Sequence, residues 1–136
     1  VDWAKLTGNL QEDKVLASKG LRAFLEGFVV AEPTGKQNTF AAHNQPEFVV
    51  VKIRKECAPR NLANAFEVPV RVKRDQSLTA ESANRLMEKD KALQTAYGSD
   101  CQTFVLNLTG VDVKDYATGV KSLRELLDKT VMALEG

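Results

Sequence analysis

The sequence predicts an α+β fold, in which long helices pack on one face of a small sheet. Two long stretches repeat apolar residues at the helical period of about 3.6 residues, and shorter runs are rich in the β-branched residues that strands prefer. The predicted order is helix, strand, strand, helix, strand, helix. A chain of 136 residues suits one domain with a real core. These patterns leave the order of the strands in the sheet open.

The chain begins with helical patterns. Trp3 and Leu6 are three residues apart, which predicts a short helical turn packed on the body. A long amphipathic helix is predicted over Gln11–Glu32, and it ends where the residue before Pro33 is restricted. Its predicted buried stripe consists of Leu21, Phe24, Leu25 and Phe28.

Two strands are predicted in the middle of the chain. Phe48–Ile53 is a run of β-formers that indicates burial on both faces. Val68–Lys73 alternates apolar and basic residues, which predicts a strand with a cationic face, and Pro69 would hold it to an edge or to strand entry. Between them we predict a loop with a helical turn near Leu62–Phe66.

The last third of the chain predicts two helices and a strand. The second long helix covers Ser77–Tyr97, with Gly98 as a left-handed stop. A strand follows over Cys101–Leu108, and then a loop over Val111–Thr118. The final helix opens with a capping box at Ser122. The predicted inner face of the second helix consists of Leu78, Ala83, Leu86, Leu93 and Tyr97.

Charge is distributed unevenly, although the net charge is only +1. Residues 50–75 hold seven Lys or Arg against three Asp or Glu, so the positive charge is concentrated in the middle of the chain. Such a concentration suits a groove that binds a polyanionic backbone, and a solvated basic face is the other interpretation. No apolar run is long enough for a membrane span, and there is no secretory signal pattern.

The pattern of reactive residues argues against catalysis. His43 is the only histidine and has no evident carboxylate to orient it. Cys57 and Cys101 are the only cysteines and lack ligand spacing for zinc, so we expect buried thiols in a reducing compartment, with a disulfide as the alternative. No nucleotide-binding or hydrolase motif is present. We therefore expect no enzyme activity, no metal and no cofactor.

The stretch Pro33–Ile53 is the best candidate for a functional site. Its loop offers one cation, several neutral hydrogen-bonding groups and a glycine that permits close backbone approach. Those groups suit a polar, anionic chain better than a catalytic pocket. The alternative is an ordinary connecting loop, since such loops are commonly polar.

Two motifs in order resemble one family. GKQNTFAAHN, which begins at Gly35, and ANAFE, which begins at Ala63, resemble the C-terminal part of the CRISPR Cascade backbone subunit, the CasC family of type I-E systems. The family pattern has a long helix, then a Gly-x-Lys-Gln-x-Thr-aromatic-Ala-Ala-x-Asn loop, a hydrophobic strand and the Ala-Asn-Ala-Phe-Glu segment. In this chain Gly35 directly precedes Lys36, so the spacing of the glycine departs from that pattern. The resemblance runs from about Trp3 to the end and is weaker after residue 75.

The resemblance implies a fold and a role. Residues 1–136 would be the C-terminal half of a palm that is similar to an RNA-recognition motif, with a ferredoxin-like sheet, and Val1 would be a fragment boundary. Copies of such subunits assemble as a filament along the CRISPR guide RNA, together with other Cascade subunits, and contact target DNA through the guide. This implies a non-catalytic, cytoplasmic ribonucleoprotein component in antiviral defence. The RNA-binding residues expected on this basis are Lys36, Gln37, Asn38 and Thr39, and the basic block of residues 50–75 adds Arg54, Lys55 and Arg71.

Two further hypotheses remain beside this one. The chain could be an RNA-independent protein–protein interaction module, whose basic block docks an acidic partner. It could also be a small-molecule enzyme, although no catalytic constellation supports that.

Overall fold

The computed structural model describes residues 1–31, 45–55, 59–98 and 101–136. These residues form four α-helices, a 3-10 helix and three strands, which confirms the predicted α+β class. In chain order the elements are α1 (Trp3–Asn9), α2 (Lys14–Val30), β1 (Phe48–Arg54), the 3-10 helix (Ala63–Phe66), α3 (Leu78–Tyr97), β2 (Cys101–Asn107), β3 (Thr118–Val120) and α4 (Leu123–Glu135). None of the helices in these four ranges is long and apolar enough to cross a membrane.

The three strands form one sheet in the order β1-β2-β3. β1 and β2 are antiparallel, with Val51 opposite Phe104, and β3 runs parallel to β2, with Val105 opposite Gly119. The sequence predicts β1 and β2 within one residue at each end. It does not predict β3, because three residues that include a glycine are too few to show an alternating pattern.

One face of the sheet carries the main apolar cluster. The cluster consists of Ile53, Phe104, Leu106, Val120 and Leu126. Leu126 is fully buried and belongs to α4, so α4 covers this face. Each side chain buried in this way stabilises the fold by about 1.5–3 kcal/mol. The predicted inward face of β2 holds for Phe104 and Leu106, whereas Leu108 lies beyond the strand and is exposed.

α2 packs on α4, and its buried residues lie in its first half. Ala17 and Leu21 are buried, and Arg22 forms an ion pair with Asp128 of α4. The predicted buried stripe is wrong at Phe24 and Phe28, which are 56% and 74% exposed. Ser18 contacts Glu135 at the end of α4 and Arg22 contacts Asp128 nearer its beginning, so the two helices run antiparallel. Helical periodicity identifies one face of α2, but it does not show whether another element covers that face along its whole length.

α3 lies on the other side of the sheet from α4. Side chains alternate along a strand, so Lys52 faces away from the cluster that contains Ile53. Lys52 forms an ion pair with Asp90 of α3, which places α3 on the Lys52 side. The predicted packing of long helices on one face therefore fits α4 but not α3. Leu78 and Tyr97 of its predicted inner face are exposed; the buried residues are Ala83, Met87 and Asp90.

Serine side chains form capping hydrogen bonds at the N-terminal ends of α3 and α4. The Ser77 hydroxyl accepts from the amide of Ala80 at 3.3 Å, and the Ser122 hydroxyl accepts from the amide of Glu125 at 3.1 Å. The predicted capping box at α4 closes one residue early, since the Glu125 carboxylate accepts from the amide of Lys121 at 2.8 Å. That backbone hydrogen bond, and then Lys129, lower the pKa of Glu125.

The predicted strand Val68–Lys73 is wrong. The structure shows irregular, largely exposed backbone between the 3-10 helix and α3. Pro69 has no amide hydrogen to donate, and alternating Val and basic side chains satisfy a strand pattern without supplying a neighbouring strand to pair with. The predicted helical turn near Leu62–Phe66 is confirmed as the 3-10 helix.

Candidate nucleic-acid interface

Four of the predicted RNA-binding residues lie outside the described residues. They are Lys36, Gln37, Asn38 and Thr39. His43 and Cys57 also lie outside that part of the chain. Their predicted roles stay predictions.

The structure places Arg54 and Lys55 together at the C-terminal end of β1. Arg54 is half-buried and is paired in register with Cys101 of β2, whereas Lys55 follows the strand and is exposed. Both guanidinium Nη atoms of Arg54 are buried without a hydrogen-bond partner among the described residues. A buried guanidinium without an acceptor is costly, so this end of β1 favours an anionic group.

Arg71 lies in a different part of the chain. It is exposed in the irregular backbone after the 3-10 helix, and its side chain bonds to no residue of the described ranges. In the described part of the molecule, the predicted residues are therefore the adjacent pair Arg54 and Lys55 and the separate cation Arg71.

A network that the sequence analysis missed lies on the same sheet face as Arg54. Asp90 is fully buried, and its Oδ2 atom accepts three hydrogen bonds. The donors are Lys52 Nζ, the Tyr116 hydroxyl at 2.9 Å and Gln94 Nε2 at 2.7 Å. Lys52 Nζ also lies 5.6 Å from the centre of the Tyr116 ring, within cation–π range. The network joins β1, α3 and the loop before β3.

The ionisation of this network follows from its surroundings. Burial alone would raise the pKa of Asp90, but the hydrogen bonds from Lys52 and Tyr116 and the charge of Lys52 lower it below its ordinary value of 3.8. Burial, and then the hydrogen bond to the negative Asp90, raise the pKa of Tyr116. At neutral pH, Asp90 is therefore ionised and Tyr116 carries its proton.

The charges of Lys52, Arg54 and Asp90 do not cancel one another. Lys52 and Arg54 lie two residues apart on β1 and supply two positive charges, while Asp90 supplies one negative charge. The Oδ1 atom of Asp90 is buried and has no partner in the same part of the structure. The surplus is positive, and it lies at the end of β1 that carries the exposed Lys55.

A signal for Asp90 exists in the sequence. Ala83, Met87, Asp90 and Gln94 lie at helical spacing on one face of α3, so a charged residue interrupts an apolar stripe. A carboxylate at such a position needs a buried partner. The sequence pattern does not identify that partner, because Lys52 is 38 residues away in the chain.

Arg60 is part of the scaffold rather than of the candidate site. Its guanidinium donates to the carbonyl oxygens of Leu93, Tyr97 and Gly98 at 2.9–3.1 Å, which caps the end of α3. Gly98 has the predicted positive φ of 87°, but its ψ of 155° is not left-handed helical. No group of three or more potential metal ligands occurs in the described ranges.

Comparisons with known proteins agree over nearly the whole chain. The family model of the CT1975-like protein matches residues 1–131. A chain of a solved CRISPR RNA-guided surveillance complex superposes with a TM-score of 0.84 at 25% sequence identity, covering 98% of this chain and 50% of that chain. The comparison with curated proteins found no match.

A second solved structure has the same fold. A chain of a pre-nicking CRISPR RNA-guided surveillance complex gives a TM-score of 0.81 at 24% identity, and covers 98% of this chain and 36% of that chain. The present chain thus spans half the length of the first structural relative and about a third of the second.

Proposed function

The chain belongs to the CT1975-like protein family, and we propose that it acts as a non-catalytic, guide-RNA-binding backbone subunit of a type I CRISPR interference complex. The predicted family resemblance is confirmed by the family match and by the likeness to CRISPR surveillance complexes. One observation carries the proposal: 98% of the chain superposes, at a TM-score of 0.84, on a chain from an RNA-guided complex.

The chemistry of the site supports binding of an RNA backbone. A guide must be held without sequence preference, so the protein should contact phosphate and 2′-hydroxyl groups and leave the base edges free for pairing. Lys55 and Arg71 offer exposed cations for phosphate, and the uncompensated Arg54 lies beside Lys55. In this proposal, Lys36 binds phosphate as a point charge, and Gln37, Asn38 and Thr39 hydrogen-bond sugar or phosphate.

The Asp90 network supports this role by holding the end of β1. Lys52 lies two residues before Arg54 on the same strand face, and its ion pair with Asp90 ties that strand to α3. Binding groups act best on elements whose own side chains are locked by packing and hydrogen bonds. In this proposal, Asp90 and Tyr116 position the cationic end of β1 without touching RNA.

The proposal also extends to the assembly. The chain would form part of a palm similar to an RNA-recognition motif, in a longer subunit whose copies line up along the guide beside other Cascade subunits. Target DNA would be contacted through the guide, in the cytoplasm. The half-length coverage of the first structural relative is compatible with this larger unit.

RNA binding is the direct test. The full-length protein is titrated with an unstructured oligouridylate of unrelated sequence, in filter binding over a salt range of about 50–200 mM. We expect sequence-independent binding whose affinity falls as salt rises, because released counterions drive it. An intact assembly that binds no RNA at the lowest salt would contradict the proposal.

A second candidate function rests on a different observation. Phe24 and Phe28 stack on each other at 6.3 Å between ring centres and remain exposed on α2. An exposed aromatic pair favours an RNA-independent protein–protein module. The same titration separates the two functions, since a module of that kind assembles with its protein partner but gives no salt-dependent RNA signal.

A further inference from the structure

An exposed arm carries three cations close together in sequence. We define the basic arm as residues 68–76, between the 3-10 helix and α3. Arg71, Lys73 and Arg74 are all exposed, and Val70 is the one residue of the arm that is half-buried. The arm therefore displays its charge to solvent.

Both ends of the arm are anchored. Before it, the 3-10 helix packs against α3 with Ala65 buried, and the Asn61 side chain accepts from the amide of Ala63 at 2.8 Å. After it, Ser77 caps α3 through the amide of Ala80. Arg60 further ties the chain before the 3-10 helix to the end of α3. The arm is thus a loop that spans two fixed points.

The last four residues of the arm form a closed turn. The amide of Gln76 donates to the carbonyl oxygen of Lys73 at 3.0 Å, and the Gln76 side-chain oxygen accepts from the amide of Lys73 at 3.0 Å. The two bonds run in opposite directions between the same residues. They hold the backbone at Lys73 and Arg74 while leaving both side chains free, so the loss of backbone entropy on binding is reduced.

In the described part of the chain, the cationic side chains of the arm bond to no other residue. Elsewhere, Arg22, Lys52 and Lys129 form ion pairs with carboxylates. In contrast, the side chains of Arg71, Lys73 and Arg74 form no hydrogen bond or ion pair with any described residue. Asp75 is the one acidic residue of the arm, so the net charge of the arm is +2.

We propose that the basic arm binds the phosphate backbone of single-stranded RNA, as a second contact in addition to the one proposed for the Pro33–Ile53 stretch. This inference rests on the proposed RNA-binding function and adds Lys73 and Arg74 to the site. The charge favours RNA over an acidic protein surface, because a polyanionic strand presents one phosphate per nucleotide and can engage all three cations. The turn holds the backbone that carries Lys73 and Arg74, and phosphate contacts of this kind leave the bases unread.

The test compares two triple variants of the full-length protein. The first is Arg71→Gln with Lys73→Gln and Arg74→Gln. The control is Lys14→Gln with Lys19→Gln and Lys114→Gln, which removes the same charge from exposed positions on α2 and the loop before β3. Binding of oligouridylate is measured over about 50–200 mM salt. Thermal melts confirm that both variants keep the fold.

The expected result is a loss confined to the arm variant. Each lost phosphate contact should lower the salt slope by about 0.7 and the affinity about fivefold at roughly 0.1 M salt, so the slope should fall by about 2. Asp75→Asn should strengthen binding, since it removes the one negative charge of the arm. The control should keep most of the wild-type slope.

Other outcomes overturn the inference in distinguishable ways. If the wild type binds RNA and both triple variants lose the same slope, the arm proposal fails and the proposed function stands. If the arm variant keeps its RNA slope but loses assembly with protein partners, the arm is a protein-docking element and the proposal is wrong. If the wild type binds no RNA, both proposals fail.

Discussion

Lys52 on β1 and Asp90 on α3 form a buried ion pair that joins the sheet to the helix on one of its faces. The Lys52 side chain is 13% exposed and that of Asp90 is 0% exposed, so water screens the pair poorly. Tyr116 and Gln94 donate two further hydrogen bonds to the Asp90 carboxylate. The stability of the end of β1 therefore depends on one carboxylate.

Removal of that carboxylate charge should destabilise the fold. Asp90→Asn leaves the Lys52 ammonium buried without its counter-charge, and we expect a loss of about 3–5 kcal/mol in the free energy of unfolding. Urea unfolding measures this. The matched control is Asp128→Asn, whose partner Arg22 is a surface residue and whose loss should cost about 1 kcal/mol or less. Equal losses in the two variants would contradict a special role for Asp90.

Acid should weaken the protein through the same residue. The folded pKa of Asp90 lies below its ordinary value of 3.8, because burial raises it less than Lys52, Tyr116 and Gln94 lower it. Such a carboxylate stabilises the fold above its unfolded pKa, and that contribution is lost as pH falls through the folded pKa. The urea concentration at the midpoint of unfolding should therefore fall as the pH is lowered below 3.8. In Asp90→Asn the drop should be shallower; parallel pH curves for the two proteins would exclude Asp90 as the cause.

The Tyr116 hydroxyl should contribute separately. Tyr116→Phe removes a donor to a charged acceptor and keeps the ring beside Lys52, so we expect a loss of about 1.5–3 kcal/mol. Tyr97→Phe is the control, because Tyr97 is 72% exposed. Both variants are compared by urea unfolding at neutral pH. A Tyr116→Phe protein as stable as the control would show that Lys52 and Gln94 alone satisfy Asp90.

Lys36 should affect RNA binding and leave stability unchanged. If Lys36 binds phosphate, Lys36→Ala in the full-length protein should lower RNA affinity about fivefold at roughly 0.1 M salt and reduce the salt slope by about 0.7. Lys14→Ala serves as the control for the loss of one exposed charge. Unchanged affinity and slope in Lys36→Ala would remove this residue from the proposed site.

Much of the secondary structure could be predicted from local patterns. The bounds of α3, β1 and β2 agree with the prediction within one residue at each end, because caps, glycine and β-branched runs act over a few neighbouring residues. The absence of a strand over Val68–Lys73 could not be predicted from such local patterns. A strand needs a partner, and alternation in sequence does not show whether a neighbouring strand is present.

The candidate site was less predictable. Charge clustering predicts Arg54, Lys55 and Arg71 as site residues, yet it does not show that Arg54 is half-buried while the other two are exposed. Lys73 and Arg74 belonged to the same basic block, but their display on an anchored turn depends on hydrogen bonds to Gln76. The charge of a segment follows from its own residues, whereas its exposure depends on which distant residues pack against it.

The sequence by itself determined the α+β class, the helix caps, the two longer strands and the family to which the chain belongs. Each of these depends on residues close in the chain or on a motif read in order. Only the tertiary structure decided that Lys52 meets Asp90, that α3 and α4 lie on opposite sheet faces, and that Phe24 and Phe28 stay exposed. The physical reason is that burial and ion pairing depend on which distant segments meet, and the same periodicity describes a helix face whether or not another element covers it.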